Sequence, residues 1–243
     1  MKETLTILHS NDLHSQFEAW VKLEGAAQRL RRELGNDRIL RLDAGDFQDR
    51  SNTVTEATRG VANMDLLKAA GVDAMTCGNN ELLVWPTAHL SHLAASAPFP
   101  VLATGLCLAG GRSISGLQET VVLQRSGLKI GLFGLSLNKS RFLEGLGLAQ
   151  CDPELAAAES VALLRAQGCG LVICLSHLGY DRDRQVAERV AGIDVIVGGH
   201  SHTALPQGDR VGDTIIVQAG GFGEYLGRLD LTVSDGVVTE WQG

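Results

Sequence analysis

Two histidines stand one residue apart in the segment DVIVGGHSHTAL, residues 194–205. The apolar run before them predicts a buried strand, and Gly198 and Gly199 predict a sharp exit from its carboxyl end. His200 and His202 could each offer an imidazole nitrogen to a metal ion, or they could be two ordinary surface histidines. Loops at the carboxyl ends of strands are where α/β proteins place catalytic residues, which favours the metal interpretation.

Further polar residues follow other predicted strands in the same way. Together with the two histidines, the candidate ligands are Asp12, His14, Asp46, Asn79, His177, His200 and His202. This mixture of carboxylates, one amide and imidazoles suits Mn²⁺, Fe²⁺ or Zn²⁺ better than Ca²⁺. Seven ligands are too many for one ion, but they suit two ions ~3.5–4 Å apart that share a bridging carboxylate.

Predicted strands and helices alternate along the chain, and the candidate ligands follow the strands. Apolar runs predict strands over residues 4–9, 38–42, 73–76, 100–103, 171–175, 195–197, 214–218, 226–233 and 237–241. Helical spacing predicts helices over residues 20–34, 56–70, 85–95, 153–167 and 181–191. Residues 119–124 and 128–135 resemble a β-hairpin, which predicts a mixed sheet, and the glycine- and serine-rich residues 105–116 predict a loop.

Composition limits the classes of function that remain. With 243 residues, 44% hydrophobic and 20% charged, the chain is long enough to bury a core, and no linker or repeat divides it, so we expect one domain over residues 1–243. A formal net charge of −7 argues against a nucleic-acid-binding surface. The sequence predicts no signal peptide and no membrane span, and five scattered cysteines without a C-x-x-C pair indicate a reducing, cytoplasmic location.

Five short blocks come in the order found in the calcineurin-like metallophosphoesterases. They are D-x-H at residues 12–14, G-D at 45–46, G-N at 78–79, the lone His177, and G-H-x-H at 199–202. The longer strings ILHSNDLH, LDAGDFQD, DVIVGGHSH and GEYLGRLDLTV resemble the 5′-nucleotidase branch, and the resemblance covers nearly the whole chain. It implies a four-layer α/β/β/α sandwich that contains two mixed β-sheets.

The resemblance also implies a role for each candidate ligand. Asp12, His14 and His202 would hold a first divalent ion, while Asn79, His177 and His200 would hold a second. Asp46 would bridge the two ions, which are expected to be manganese, with zinc or iron as alternatives. The ions would lower the pKa of a bridging water, and the resulting hydroxide would attack phosphorus in line. The expected substrate is a small phosphate ester or nucleotide, hydrolysed as by a 5′-nucleotidase or a 2′,3′-cyclic phosphodiesterase in nucleotide catabolism.

Two positions depart from the family pattern. The family usually continues G-N with a histidine that stabilises the transition state or protonates the leaving group, and an aspartate three residues later orients that histidine. This chain has Asn80 and Leu83 instead. Asn80 cannot deliver a proton, although its amide could donate a hydrogen bond to a phosphate oxygen, so it is the tentative catalytic and substrate-binding residue. We therefore expect a slower enzyme, or one restricted to esters whose leaving group needs no protonation.

Several alternatives stay open at this point. The chain could be a pseudoenzyme that keeps its metal and acts through a partner, since metal ligands can persist for stability alone. His9 is expected in the core, His89 and His92 on a helix surface, and Glu81 behind the ligands. Gly220, Gly221 and Gly223 are interpreted as turn glycines because a strand follows them, which excludes a dinucleotide site. The nucleoside-binding C-terminal domain of 5′-nucleotidases would be absent from residues 1–243.

Overall fold

The computed structural model describes residues 2–137 and 140–243. Within these ranges the strands are β1 (Lys2–Ser10), β2 (Ile39–Asp43), β3 (Ala74–Thr76), β4 (Val101–Leu102), β5 (Leu106–Leu108), β6 (Leu117–Gln118), β7 (Thr120–Arg125), β8 (Leu128–Leu135), β9 (Leu148–Gln150), β10 (Leu171–Ser176), β11 (Val195–Gly198), β12 (Asp209–Val211), β13 (Thr214–Val217), β14 (Gly227–Ser234) and β15 (Val237–Gln242). The helices are α1 (Phe17–Leu34), α2 (Thr53–Thr58), α3 (Val61–Ala69), α4 (Asn79–Leu83), α5 (Thr87–Ser96), α6 (Ser140–Gly145), α7 (Pro153–Ala166) and α8 (Tyr180–Arg189).

Most strands belong to two mixed sheets. The first has the order β15-β14-β1-β2-β3-β4-β6, in which β1, β2, β3, β4 and β6 pair in parallel and β14 and β15 are antiparallel. The second has the order β12-β13-β11-β10-β8-β7, with parallel strands in the middle and an antiparallel strand at each edge. Since β7 and β8 pair antiparallel, the predicted hairpin and the predicted mixed character of the sheets are confirmed.

Three apolar layers hold the sheets and helices together. Between the sheets, Leu42 of β2 packs in one buried cluster with Ile173 of β10. Outside the first sheet, Trp20 of α1 and Leu67 of α3 cover Met75. Outside the second sheet, α7 covers β8 and β10, and α8 covers β11. Full burial of each such side chain contributes roughly 1.5–3 kcal/mol. The arrangement of helices, sheet, sheet and helices is the expected four-layer sandwich.

The structure corrects the sequence prediction in a few places. The single helix predicted over residues 56–70 is wrong, because Arg59 and Gly60 both have positive φ and separate α2 from α3. At Gly60 a Cβ atom would lie 1.9 Å from Gln48 Oε1, so the bend follows from a close tertiary approach. The predicted loop 105–116 contains β5, which pairs with β9 far along the chain. Both are features of tertiary contact rather than of local pattern.

Across residues 2–137 and 140–243, none of the helices combines the length and the apolar character needed to cross a membrane.

Candidate metal centre

The carboxyl ends of five strands, three from the first sheet and two from the second, deliver the candidate ligands to one place. Asp12 follows β1, Asp46 follows β2, and Asn79 follows β3. His177 follows β10 directly, and His200 follows β11. Hydrogen bonds and short side-chain distances link all seven predicted residues, so the structure brings the whole set together.

The first group consists of Asp12, His14 and His202, whose ligand atoms lie within 4.8 Å of one another. Asp12 Oδ1 lies 3.4 Å from His202 Nε2 and 3.8 Å from His14 Nε2. The two imidazole nitrogens are 3.1 Å apart. Three donors of this type around a common point match the preference of a divalent transition metal.

The second group lies beside the first and shares its carboxylates. His177 Nε2 is 3.4 Å from Asp46 Oδ2 and 3.8 Å from Asp12 Oδ1, and these three residues also form a compact ligand group. Asp46 Oδ2 is 4.0 Å from His14 Nε2 as well, so one carboxylate oxygen faces both groups. Asn79 and His200 adjoin this group, because the ring of His200 lies 5.2 Å from the ring of His177 and its Nδ1 lies 2.9 Å from Asn79 Oδ1.

The residues fit divalent cations because specific buried atoms lack a hydrogen-bond partner. Asp12 Oδ2 accepts hydrogen bonds from Asn11 Nδ2 at 2.7 Å and from His200 N at 2.8 Å, whereas Oδ1 is buried without a partner. His177 Nδ1 donates to Ala44 O at 2.7 Å, whereas Nε2 is buried without a partner. An unsatisfied buried polar atom costs about 1–3 kcal/mol, which a bound cation would offset. Fixing Nδ1 as the donor also leaves Nε2 as the coordinating nitrogen.

The electrostatics of His177 also favour the binding of a cation. Burial lowers the pKa of this imidazole, but the carboxylates of Asp46 and Asp12 outweigh burial and raise the pKa to about 9. The site therefore stabilises positive charge at Nε2, whether a proton or a metal ion provides it. Since a metal ligand must be deprotonated, cation binding at this nitrogen would release a proton.

The backbone at the ligands lies in a conformation that most residues avoid. Positive φ angles occur at five of the seven ligands, namely Asp12 (50°), His14 (50°), Asp46 (52°), His200 (71°) and His202 (51°). Each such conformation costs of order 1–3 kcal/mol and persists only where the surroundings enforce it. Gly199 shows how tight these surroundings are, because a Cβ atom there would lie 2.9 Å from both Ala44 O and His177 Nδ1. Packing thus holds the ligands in a strained but defined arrangement.

Glu81 lies behind the ligands, as its sequence context predicts. Its Oε2 accepts hydrogen bonds from the backbone N–H groups of Asp46 at 2.9 Å and Gly78 at 2.8 Å, and its Oε1 accepts from Gln48 N at 3.3 Å. The side chain is buried, and burial raises the pKa of its carboxyl to about 7. Glu81 therefore joins the loops after β2 and β3 and orients Asp46.

Asn80 is the first residue of the missing dyad, and its side chain is held by the protein. Its Nδ2 lies 2.8 Å from Gln48 O and 3.1 Å from His14 Nδ1, while its backbone N–H donates to Asp46 Oδ1 at 2.7 Å. One amide hydrogen thus donates to Gln48 O, and its contact with phosphate would require release of that bond. The donor and acceptor roles in the contact with His14 Nδ1 depend on the tautomer of that imidazole. Leu83 packs at the edge of the apolar cluster under α4.

The cluster has a closed floor and an open rim. We call Asp12, Asp46 and His177 the floor, because their side chains are almost inaccessible to solvent, at 0%, 3% and 0% exposure. We call the remaining candidate ligands and Asn80 the rim. On the rim, the side chain of His14 is 13% exposed and that of His202 is 34% exposed. A ligand must therefore enter from the rim.

The other histidines lie where the sequence predicts them. His9 is buried in β1, and burial followed by the charge of Arg41 lowers the pKa of its imidazole to about 3. His92 is exposed on α5, and His89 on the same helix hydrogen-bonds Arg59 O at 2.7 Å.

Phe222 is a site residue that sequence reasoning missed, since its glycine neighbours were interpreted only as turn residues. The signal was a large apolar residue in the middle of that glycine turn.

These features define a class of protein, and comparison with known proteins confirms it. The chain belongs to the calcineurin-like phosphoesterase family, whose family model matches residues 5–204.

Three individual proteins show how similar this chain is to known members of the family. The uncharacterized metallophosphoesterase YunD of Bacillus subtilis (strain 168) is 35% identical over 236 residues, which cover 96% of this chain and 51% of that protein. A 5′-nucleotidase of Mus musculus is 30% identical over 271 residues, covering 95% of this chain and 46% of the relative. Among solved structures, a 5′-nucleotidase precursor from Thermus thermophilus matches with a TM-score of 0.85 at 28% identity, covering 98% of this chain and 53% of the other. This chain thus spans about half the length of these curated relatives.

Proposed function

We propose that this chain is the catalytic domain of a dinuclear metal-dependent phosphoesterase of the 5′-nucleotidase type. The observation that carries the proposal is the pair of buried ligand atoms without hydrogen-bond partners, Asp12 Oδ1 and His177 Nε2, which lie 3.8 Å apart at the centre of the cluster. Asp12, His14 and His202 would hold one cation, and Asn79, His177 and His200 would hold the other, with Asp46 between them. Imidazole and carboxylate ligands suit manganese, with zinc or iron as alternatives.

The residues of the chain prepare the site before a substrate arrives. When bound, two divalent cations would supply a water of lowered pKa as the nucleophile and positive charge against the phosphoryl oxygens. Asn11 and the backbone of His200 hold Asp12, Glu81 and the backbone of Asn80 hold Asp46, and Ala44 holds His177. Because the floor is closed, water and substrate reach the reacting centre only across the rim.

The leaving group decides which esters react well. A positioned general acid contributes about 10²–10⁴ in rate, and Asn80 has no proton to transfer. We therefore propose that esters with acidic leaving groups, such as aryl phosphates, are hydrolysed faster than simple alkyl monoesters. Comparing the hydrolysis rates of AMP and a 2′,3′-cyclic nucleotide distinguishes 5′-nucleotidase activity from cyclic phosphodiesterase activity.

The test is hydrolysis by metal-stripped protein that has been reconstituted with Mn²⁺. AMP, a 2′,3′-cyclic nucleotide and bis-p-nitrophenyl phosphate serve as substrates, and His200→Ala serves as the ligand variant. We expect metal-dependent turnover that the variant loses, with bis-p-nitrophenyl phosphate fastest. No turnover of any ester by protein that binds two ions per chain would contradict the proposal.

A second candidate function rests on the replacement of the dyad by Asn80 and Leu83. The chain could bind metal without turning over esters, as a pseudoenzyme or regulatory module. The hydrolysis experiment distinguishes the two functions, because both predict bound metal but only the first predicts turnover.

The cytoplasmic location and the single-domain organisation over residues 1–243 stay predictions. The five cysteines, all unpaired in the structure, are consistent with that location.

A further inference from the structure

Phe222 is a large apolar side chain that stands at the candidate metal centre and remains half exposed, at 48% of its surface. Its ring centroid lies 5.1 Å from the ring of His14 and 4.9 Å from the ring of His202. It therefore adjoins the two rim histidines of the first ligand group. Single exposed apolar side chains are common on protein surfaces, so the informative feature is the position of this ring beside the ligands rather than its exposure.

The backbone holds this ring in place. Phe222 has a φ of 57°, a left-handed conformation that is rare for a bulky residue. Its N–H donates to Asp12 O at 2.7 Å, which ties the turn to the loop that carries two ligands. At Gly221 a Cβ atom would lie 2.9 Å from His202 Cγ, and at Gly223 it would lie 2.8 Å from Ala19 Cβ. A tight turn thus presents the ring at the cost of backbone strain, which is typical of functional sites.

The ring of Phe222 lies where the organic part of a bound phosphate ester would extend. A phosphate group held over the floor cannot extend its substituent downward, because Asp12, Asp46 and His177 are buried there. The substituent must extend across the rim, and Phe222 lies on that rim beside His14 and His202. One face of a phenyl ring is a good partner for a planar aromatic group.

We propose that Phe222 is a specificity-determining residue, a stacking surface that favours phosphate esters whose organic part carries a nucleobase or aryl ring. This inference rests on the proposed function, since it assigns a substrate class to the same site. Stacking of one base on an aromatic side chain is worth about 1–3 kcal/mol, which corresponds to roughly 5- to 150-fold in affinity.

The test compares AMP with ribose 5-phosphate, because both have the same phosphate and the same leaving oxygen and differ in the base. Binding to Mn²⁺-loaded protein is measured by titration calorimetry, and kcat/KM is measured beside it. We expect the AMP preference to fall about 10-fold in Phe222→Ala and to be kept in Phe222→Trp. Tyr225→Ala is the matched control, because Tyr225 is an aromatic residue of the same turn that is 57% exposed but lines a different cavity with Leu205 and Arg228.

The outcomes separate this inference from the proposed function. If the wild type binds AMP more tightly than ribose 5-phosphate through Phe222 but hydrolyses neither of them nor bis-p-nitrophenyl phosphate, the phosphoesterase proposal fails and the stacking surface stands. If both esters are hydrolysed and Phe222→Ala leaves their ratio unchanged, the stacking surface is wrong. It is equally wrong if Phe222→Ala lowers the metal content and weakens both esters alike, because the ring then only supports the histidines. Failure of the wild type to bind either ester would overturn the stacking surface, and the phosphoesterase proposal would then stand or fall on turnover of bis-p-nitrophenyl phosphate.

Discussion

His9 and His177 are two buried histidines with opposite electrostatics. Each has one buried ring nitrogen without a hydrogen-bond partner, Nδ1 in His9 and Nε2 in His177. Burial and Arg41 lower the pKa of His9 to about 3, whereas Asp46 and Asp12 overcome burial and raise the pKa of His177 to about 9. The neighbouring charge, rather than burial, therefore decides which imidazole accepts a cation.

The surroundings of the two rings explain this contrast. His9 lies against Gly227 of the adjacent strand, where a Cβ atom would fall 2.1 Å from the ring, so this imidazole fills space between strands. His177 instead follows its strand directly and points at two carboxylates. The same residue type thus serves packing within a strand and the proposed chemistry just beyond one. Substitutions at these and neighbouring residues test whether the contrast is functional.

The largest effect is expected from removing the imidazole of His177. In His177→Ala the second ligand group loses a donor and the two floor carboxylates lose the charge that compensates them. We expect metal-dependent phosphoesterase activity to fall about 10²–10³-fold, with metal content measured by elemental analysis falling as well. His9→Asn is the paired variant and should retain its metal. Equal metal loss in both variants would mean that the contrast between the histidines is not functional.

The second prediction concerns the absent dyad. Asn80→His alone loses the contacts of Asn80 with Gln48 and His14 and gains no orienting partner, so we expect little benefit. Asn80→His with Leu83→Asp should restore proton delivery and raise kcat on alkyl phosphates about 10²-fold, with a smaller gain on aryl phosphates. Steady-state kinetics on one ester of each kind measures this. An unchanged alkyl-to-aryl ratio in the double variant would count against a missing general acid.

The third prediction uses the lowered pKa of His9. Its folded pKa of about 3 lies below the unfolded value of 6.5, so the neutral ring stabilises the fold above pH 6.5 and this contribution is lost as pH falls toward 3. The wild type should therefore lose about 2 kcal/mol more unfolding free energy between pH 7 and pH 5 than His9→Asn. Urea unfolding at the two pH values gives this difference. The same loss in both proteins would exclude His9 as the cause.

The smallest effect is expected at Glu81, which supports the floor without pointing into it. Glu81→Gln replaces one acceptor oxygen with a donor that faces the backbone N–H groups of Asp46 and Gly78. Loss of such outer support typically lowers metal affinity about 10- to 100-fold, and we expect the lower end because the backbone remains packed. Competition with a chelator of known affinity measures the change in metal affinity. The control is Glu33→Gln, which changes an exposed glutamate on the surface of α1. Unaltered affinity in Glu81→Gln would show that packing alone positions Asp46.

Much of the architecture was readable from local patterns. The alternation of strands and helices, the hairpin and the mixed sheets follow from hydrophobic period and glycine placement, which act over a few residues. The break between α2 and α3 and the pairing of β5 with β9 were not readable, because contacts with distant residues impose them. Very short strands such as β6 and β12 carry too few residues to show a period.

Some features of the candidate site were likewise predictable from the sequence, and others depend on tertiary contacts. The types and order of the seven ligands, and the loss of the dyad at Asn80 and Leu83, were determined by the sequence, since chemistry depends on residue type. Tertiary contacts, by contrast, bring Asp12 Oδ1 and His177 Nε2 near one another without hydrogen-bond partners, hold Asn80 against Gln48, and place Phe222 on the rim. These are distances between residues far apart in the chain, and no local pattern encodes them. They arise where the ends of strands from two sheets meet.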